Sequence, residues 1–191
     1  MDNKTKPAIC VFCGSSHGSN PRYAAAARTL GRLIAERGFS LVFGGGGPGL
    51  MGETARAVRE GGASVAGVLP KFLRWVELPP EWEKDLIITA DLQERKTRML
   101  AMADAFVVLP GGAGTMDEFF EVVTSASLGV LDKPILVVNT EGFFDTLERL
   151  MNHIVREGFA QPKILDLYRL VDMPEEAIAA IENALSTPPR G

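Results

Sequence analysis

The chain has 191 residues, 46% of them hydrophobic, enough for one sizeable core and most consistent with a single domain. Its 24 acidic and 20 basic residues leave a net charge of -4, which argues against bulk nucleic-acid binding through a broad basic face. An anionic small molecule fits this balance only if its site is locally positive.

Apolar runs alternate with helical patterns from one end to the other. AICVFCG at 8–14 predicts a strand, and 21–37 a helix with Ala24, Ala27, Leu30, Leu33 and Ile34 on one face, closed by Gly38. A second strand is expected at 40–45, a helix at 49–62, and a third strand at 63–70. The Pro-rich stretch 71–83 reads as irregular. A short strand at 86–90 precedes a helix at 91–103, a strand at 105–110 and a helix running to about 128. The pattern ends with a strand at 134–139, a helix at 142–157, the apolar run 167–172, and a helix at 174–185 opened by Pro174. Unbroken apolar strands alternating with helices predict a parallel sheet covered on both faces, a doubly wound, Rossmann-like α/β domain over 7–185 with disordered tails at 1–6 and 186–191. In such a domain ligands bind beyond the carboxyl ends of the strands, so the loops at 14–20, 44–52, 70–77 and 110–118 carry the expectation of function.

The only cysteines, Cys10 and Cys13, form a C-x-x-C pair inside the first strand. A redox pair sits after a strand, at a helix N-terminus that stabilises the thiolate. Within a strand, positions three apart face opposite ways, so both are expected to be buried or rim cysteines. Few cysteines, no signal-peptide pattern and no apolar run near the roughly 18 residues of a membrane helix predict a cytoplasmic protein with no membrane partner.

Two glycine-rich loops follow strands. GGGGPGLMG (44–52) fits G-x-G-x-x-G in two registers, which makes the match weak. The next strand ends Val68-Leu69-Pro70-Lys71 without the acid that would hold a ribose, which disfavours a dinucleotide-dependent oxidoreductase. Gly45, Gly46 and Gly47 are phosphate-loop candidates, and a tight strand-to-helix turn is the other reading. The second loop is LPGGAGTMDEFFE (109–121). Gly111, Gly112 and Gly114 allow close backbone approach. Thr115 reads as an N-cap, and Thr115 with Glu118 has the capping-box spacing. Met116, Phe119, Phe120 and Val123 form a core stripe, which leaves Glu118 and Glu121 off the core side. QERKTRM (93–99) then adds Arg95, Lys96 and Arg98 just upstream. Such a run reads as a solvated helix face or as the local cation that an acidic protein needs to bind phosphate.

Taken together, these residues resemble the LONELY GUY family of cytokinin riboside 5′-monophosphate phosphoribohydrolases. The signature PGGxGTxxE is present from Pro110 to Glu118, and FCGSS (12–16), GGGxxGLMG, GVLPxxL (67–73), Glu-Arg-Lys at 94–96 and LGxxxKP (128–134) follow the family order. The resemblance spans about 8–185. It implies a Rossmann-like homodimer that cleaves a nucleoside 5′-monophosphate into base and ribose 5-phosphate, without metal, PLP or nicotinamide. It puts the catalytic pair on Arg95 and Glu118. Substrate contacts fall on Glu77, Lys96, Gly111, Gly112, Gly114, Thr115 and Thr124, with Ser15, Arg98 and Glu121 in support. Gln93, Ser125, Ser127 and Leu131 depart from the family pattern, which bears on base preference. A non-catalytic nucleotide- or cofactor-binding protein is the alternative, since fold alone does not fix function.

Overall fold

The computed structural model describes residues 6–73 and 80–186. Seven parallel strands form one sheet: β1 (Ala8–Phe12), β2 (Ser40–Phe43), β3 (Val65–Pro70), β4 (Leu86–Thr89), β5 (Ala105–Val108), β6 (Ile135–Val138) and β7 (Arg169–Val171), in the spatial order β4-β3-β2-β1-β5-β6-β7. The helices are α1 (Pro21–Glu36), α2 (Gly49–Glu60), α3 (Leu92–Met102), α4 (Ala113–Ser127), α5 (Asp145–Arg156) and α6 (Pro174–Ser186). Most strands are shorter than their apolar runs, which continue into the loop at the carboxyl edge; β3 instead ends with its run at Pro70 and begins two residues later than expected, at Val65.

Strand alternation divides the core in two. Ile9 and Val11 of β1 point to one face with Leu41, Phe43 and Val107, where α1, α2 and α6 contribute Leu30, Leu50 and Ile178. Cys10 and Phe12 point to the other with Val42, Phe106 and Val108, against Met99 of α3, Phe119 of α4 and Met151 of α5. Cys13 lies with the first set and Cys10 with the second, both buried and unpaired, as the period of two requires. Burial pushes both thiols well above the ordinary cysteine range. No helix among the described residues is long and apolar enough to cross a membrane.

Close helix packing on the first face depends on Gly31. A Cβ there would lie 2.5 Å from the Thr54 carbonyl oxygen and 2.8 Å from the Ala57 Cβ. Alanine would gain about 0.5–1 kcal/mol in helix preference over glycine. Overpacking against a backbone carbonyl costs about 1–3 kcal/mol. Gly31→Ala is therefore expected to destabilise the fold, read as a lower urea midpoint at unchanged slope; an unchanged midpoint would mean that α1 and α2 separate freely.

The strand order reverses between β1 and β5, whose chains leave for opposite faces of the sheet. This switch point is where an α/β sheet opens a crevice. The two loops there are pinned together: the Gly14 N–H donates to the Pro110 carbonyl at 3.0 Å, and the Leu109 N–H to the Phe12 carbonyl at 2.9 Å.

Candidate active site

The candidate side chains Arg95 and Glu118 are brought in by α3 and α4, on the face that also carries α5. Asp91 caps α3, its side chain accepting the Glu94 N–H at 2.8 Å, while the Glu94 carboxylate accepts the Ala90 N–H at 2.8 Å. The capping fixes the first turns of α3, which bear Arg95 and Lys96. Cations next to the positive end of a helix oppose its dipole, so something else must hold them there.

That partner is α4. Arg95 Nη1 donates to Glu118 Oε1 at 2.7 Å, and Arg95 Nε donates to the Val68 carbonyl of β3 at 3.0 Å. The two side chains are 14% and 9% exposed. Beside them, Lys96 Nζ lies 2.6 Å from Glu121 Oε2 and 3.2 Å from Asp117. Glu118 is the only charged residue buried among the described residues. Burial raises its carboxyl above the ordinary glutamate range, and the Arg95 charge and hydrogen bond offset that only in part. Lys96 is held above the usual lysine range, chiefly by its hydrogen bond to Glu121.

The start of α4 differs from the sequence expectation. Its N-cap is Gly112, with no side-chain cap, and Thr115 is the third helical residue rather than the cap. The capping box expected between Thr115 and Glu118 is thus absent; a D-x-x-E arrangement of that kind opens α3 instead. The physical reason lies at Gly111, where a Cβ would fall 2.1 Å from Thr115 Oγ1 and 2.8 Å from the Gly14 nitrogen. The bare Gly111 lets Thr115 fold inward and be buried. Glu118 is accordingly buried as well, not off the core side. Gly112 and Gly114 are exposed, and a Cβ at either would meet nothing within 4 Å. The fold does not require glycine at those two positions, in contrast to Gly111.

Gly44 to Gly47 are buried. The leading amides of α2 turn inward, with the Leu50 and Met51 N–H groups both directed at the Gly14 carbonyl, at 3.0 and 3.3 Å. Gly45 and Gly49 have φ of 77° and 63°, and a Cβ on Gly52 would fall 1.7 Å from the Gly47 carbonyl oxygen. The tight-turn reading of this loop therefore has direct structural reasons. The first-turn amides of α4 also open at the mouth of the sheet, with no side-chain cap. A pocket of about 200 Å³ adjoins them, lined in part by Gly14, Ser16, His17, Tyr23, Gly111 and Gly112.

The other expected site residues scatter. Arg98 pairs with Glu94 at 3.2 Å, one helical turn away on the exposed face of α3. Ser15 is exposed, its backbone packed against Gly49. Thr124 is exposed near the end of α4, where its carbonyl accepts the Ser127 hydroxyl at 2.8 Å. Glu77 lies outside the described residues. The Val68 carbonyl and Gly14 were not singled out from the sequence, because each acts through backbone atoms that no side-chain pattern marks.

A doubly wound parallel sheet with a buried guanidinium–carboxylate pair at its carboxyl edge defines a Rossmann-like α/β protein. Comparison with known proteins narrows that class. A family profile described as "possible lysine decarboxylase" matches residues 51–181. A cytokinin riboside 5′-monophosphate phosphoribohydrolase of Arabidopsis thaliana is 46% identical over 154 residues, covering 81% of this chain and 71% of that one. A probable enzyme of the same name from Oryza sativa subsp. japonica is 41% identical over 174 residues, covering 91% and 71%. The chain belongs to this phosphoribohydrolase family, the LONELY GUY family. A solved structure of a molybdenum cofactor binding protein from Rippkaea orientalis shares the fold, with a TM-score of 0.74 at 21% identity over 96% of this chain and 99% of that one.

Proposed function

We propose that the chain hydrolyses the N-glycosidic bond of a nucleoside 5′-monophosphate, either a cytokinin riboside 5′-monophosphate or AMP, to free base and ribose 5-phosphate. The observation that carries this reading is the Arg95–Glu118 pair: a buried carboxylate in the second turn of a helix whose own N-terminus has no side-chain cap. The amides of that first turn, with Gly111, Gly112, Gly114 and Thr115 around them, suit a 5′-phosphate, as the helix dipole favours an anion there. The glycosidic carbon lies at the other end of the ribose, toward Glu118. As the base departs with the C1′–N electron pair, positive charge develops on the sugar ring, and a carboxylate stabilises it. Water adds to C1′ and gives a proton to Glu118, which passes it on to solvent or to the departed base. A carboxylate with a raised pKa is a better base than an ordinary one. Arg95 is permanently charged, so it holds and orients Glu118 rather than donating a proton. Lys96, Thr124 and Glu77 enter as substrate contacts on the family resemblance.

The decarboxylase description draws no support from Lys96. A Schiff-base lysine must lose its proton easily, whereas two carboxylates hold this one charged. The reading also includes a homodimer, and exposed Leu128, Val130 and Phe159 supply an apolar surface suited to a second copy. The decisive assay incubates the protein with AMP and with isopentenyladenosine 5′-monophosphate and quantifies free base and ribose 5-phosphate. Equimolar release of both products is expected from at least one of them. Tight binding without products would return the chain to the non-catalytic nucleotide-binding alternative.

A further inference from the structure

The glycines of the loop after β2 do not share one reason. Gly45 and Gly49 adopt positive φ, and Gly52 leaves room for a backbone carbonyl. Gly44 has neither reason. Its φ lies outside the left-handed range, so its backbone conformation is open to any residue. What a side chain would meet there is Arg95: a Cβ on Gly44 would lie 2.2 Å from Nη2 and 3.4 Å from Cζ, with Met51 Sδ at 3.0 Å. Gly44 follows β2, and Val68, which accepts the Arg95 Nε–H, belongs to the neighbouring strand β3. Two adjacent strands thus supply two sides of a seat for one guanidinium, and Glu118 supplies the third through Nη1.

We infer that Gly44 is a positioning residue for Arg95: its bare Cα completes the seat that presents the guanidinium to Glu118. This rests on the reading of Arg95 and Glu118 as the reacting pair. The seat itself is a matter of geometry. A methyl at Gly44 meets only the ends of two flexible side chains, so the fold can absorb it by moving them. What it displaces is the orientation of Arg95. A displacement on the order of 1 Å of a catalytic group can cost about 100-fold in rate.

The test combines Gly44→Ala, Arg95→Ala and the double variant. Gly44→Ala is expected to keep the thermal midpoint near that of the parent, lower kcat about 100-fold, and leave KM within a few-fold. In the Arg95→Ala background the same substitution is expected to add less than about twofold, since the group it displaces is gone. A readout independent of turnover is the Arg95 Nε–H resonance in a ¹H–¹⁵N spectrum, assigned by its loss in Arg95→Ala. It is expected to shift and exchange faster with water in Gly44→Ala. An unshifted Nε–H signal overturns the inference whether or not the protein turns over a nucleotide, and so does an equal loss of rate in both backgrounds. A shifted signal in a protein that hydrolyses no nucleotide upholds the seat and overturns the enzymatic reading alone.

Discussion

Glu118→Gln is expected to lower kcat for the nucleoside monophosphate by about 10²–10⁴-fold, the range for removing a positioned general base, while nucleotide binding stays within a few-fold. The amide keeps the shape of the carboxylate and can still accept from Arg95 Nη1, so the 2.7 Å contact has a neutral substitute. It cannot take a proton from water or balance the charge on the ribosyl ring. The proposed phosphate contacts belong to the backbone of the preceding turn, which the substitution does not touch. Calorimetric titration with AMP and a product assay on the same sample separate the two effects. Undiminished turnover would remove Glu118 from the chemistry and leave it a structural partner of Arg95.

Arg95→Met should reveal how far the pair supports the fold. Removing one member of a buried pair leaves the other uncompensated, at a cost of about 3–5 kcal/mol. Here the stranded group is Glu118, whose carboxyl burial already raises and Arg95 lowers. Loss of Arg95 therefore raises it further. A group whose folded pKa lies above its unfolded value contributes fully below the unfolded value and loses that contribution as pH rises through the folded one. The deficit of Arg95→Met is thus largest at neutral and alkaline pH and shrinks on acidification toward the ordinary glutamate range. Urea unfolding at several pH values checks this. Lys96 also lowers the Glu118 pKa and Asp117 raises it, so both stay unchanged in the comparison. Adding Glu118→Gln should recover much of the loss at neutral pH. A deficit independent of pH would instead assign the effect to the packing of the Arg95 stem.

Much of the fold was legible because apolar runs and glycine or proline punctuation repeat along the chain. The opposite facing of Cys10 and Cys13 follows from strand period alone. Arg98 could also have been separated from Arg95 and Lys96, since Glu94 lies four residues before it and offers a pair on the solvent face. Other features had no local signal. The first turn of α4 begins at Ala113 because Gly111 admits Thr115 beneath the loop, a contact between residues four apart in an unusual path. Arg95 of α3 reaches Glu118 from 23 positions away, and the Val68 carbonyl reaches Arg95 from 27. Sequence pattern marks residue types and faces. It does not report which backbone oxygen a guanidinium will find.

The two cysteines have a practical consequence. Both are buried, and their thiols resist ionisation, so at neutral pH neither offers the thiolate on which maleimides and iodoacetamides act. The native chain is in effect a blank background for thiol labelling. One cysteine introduced at exposed Ala101, on the helix that bears Arg95, would carry a fluorophore alone. Its emission could then follow nucleotide arrival without first replacing either native cysteine.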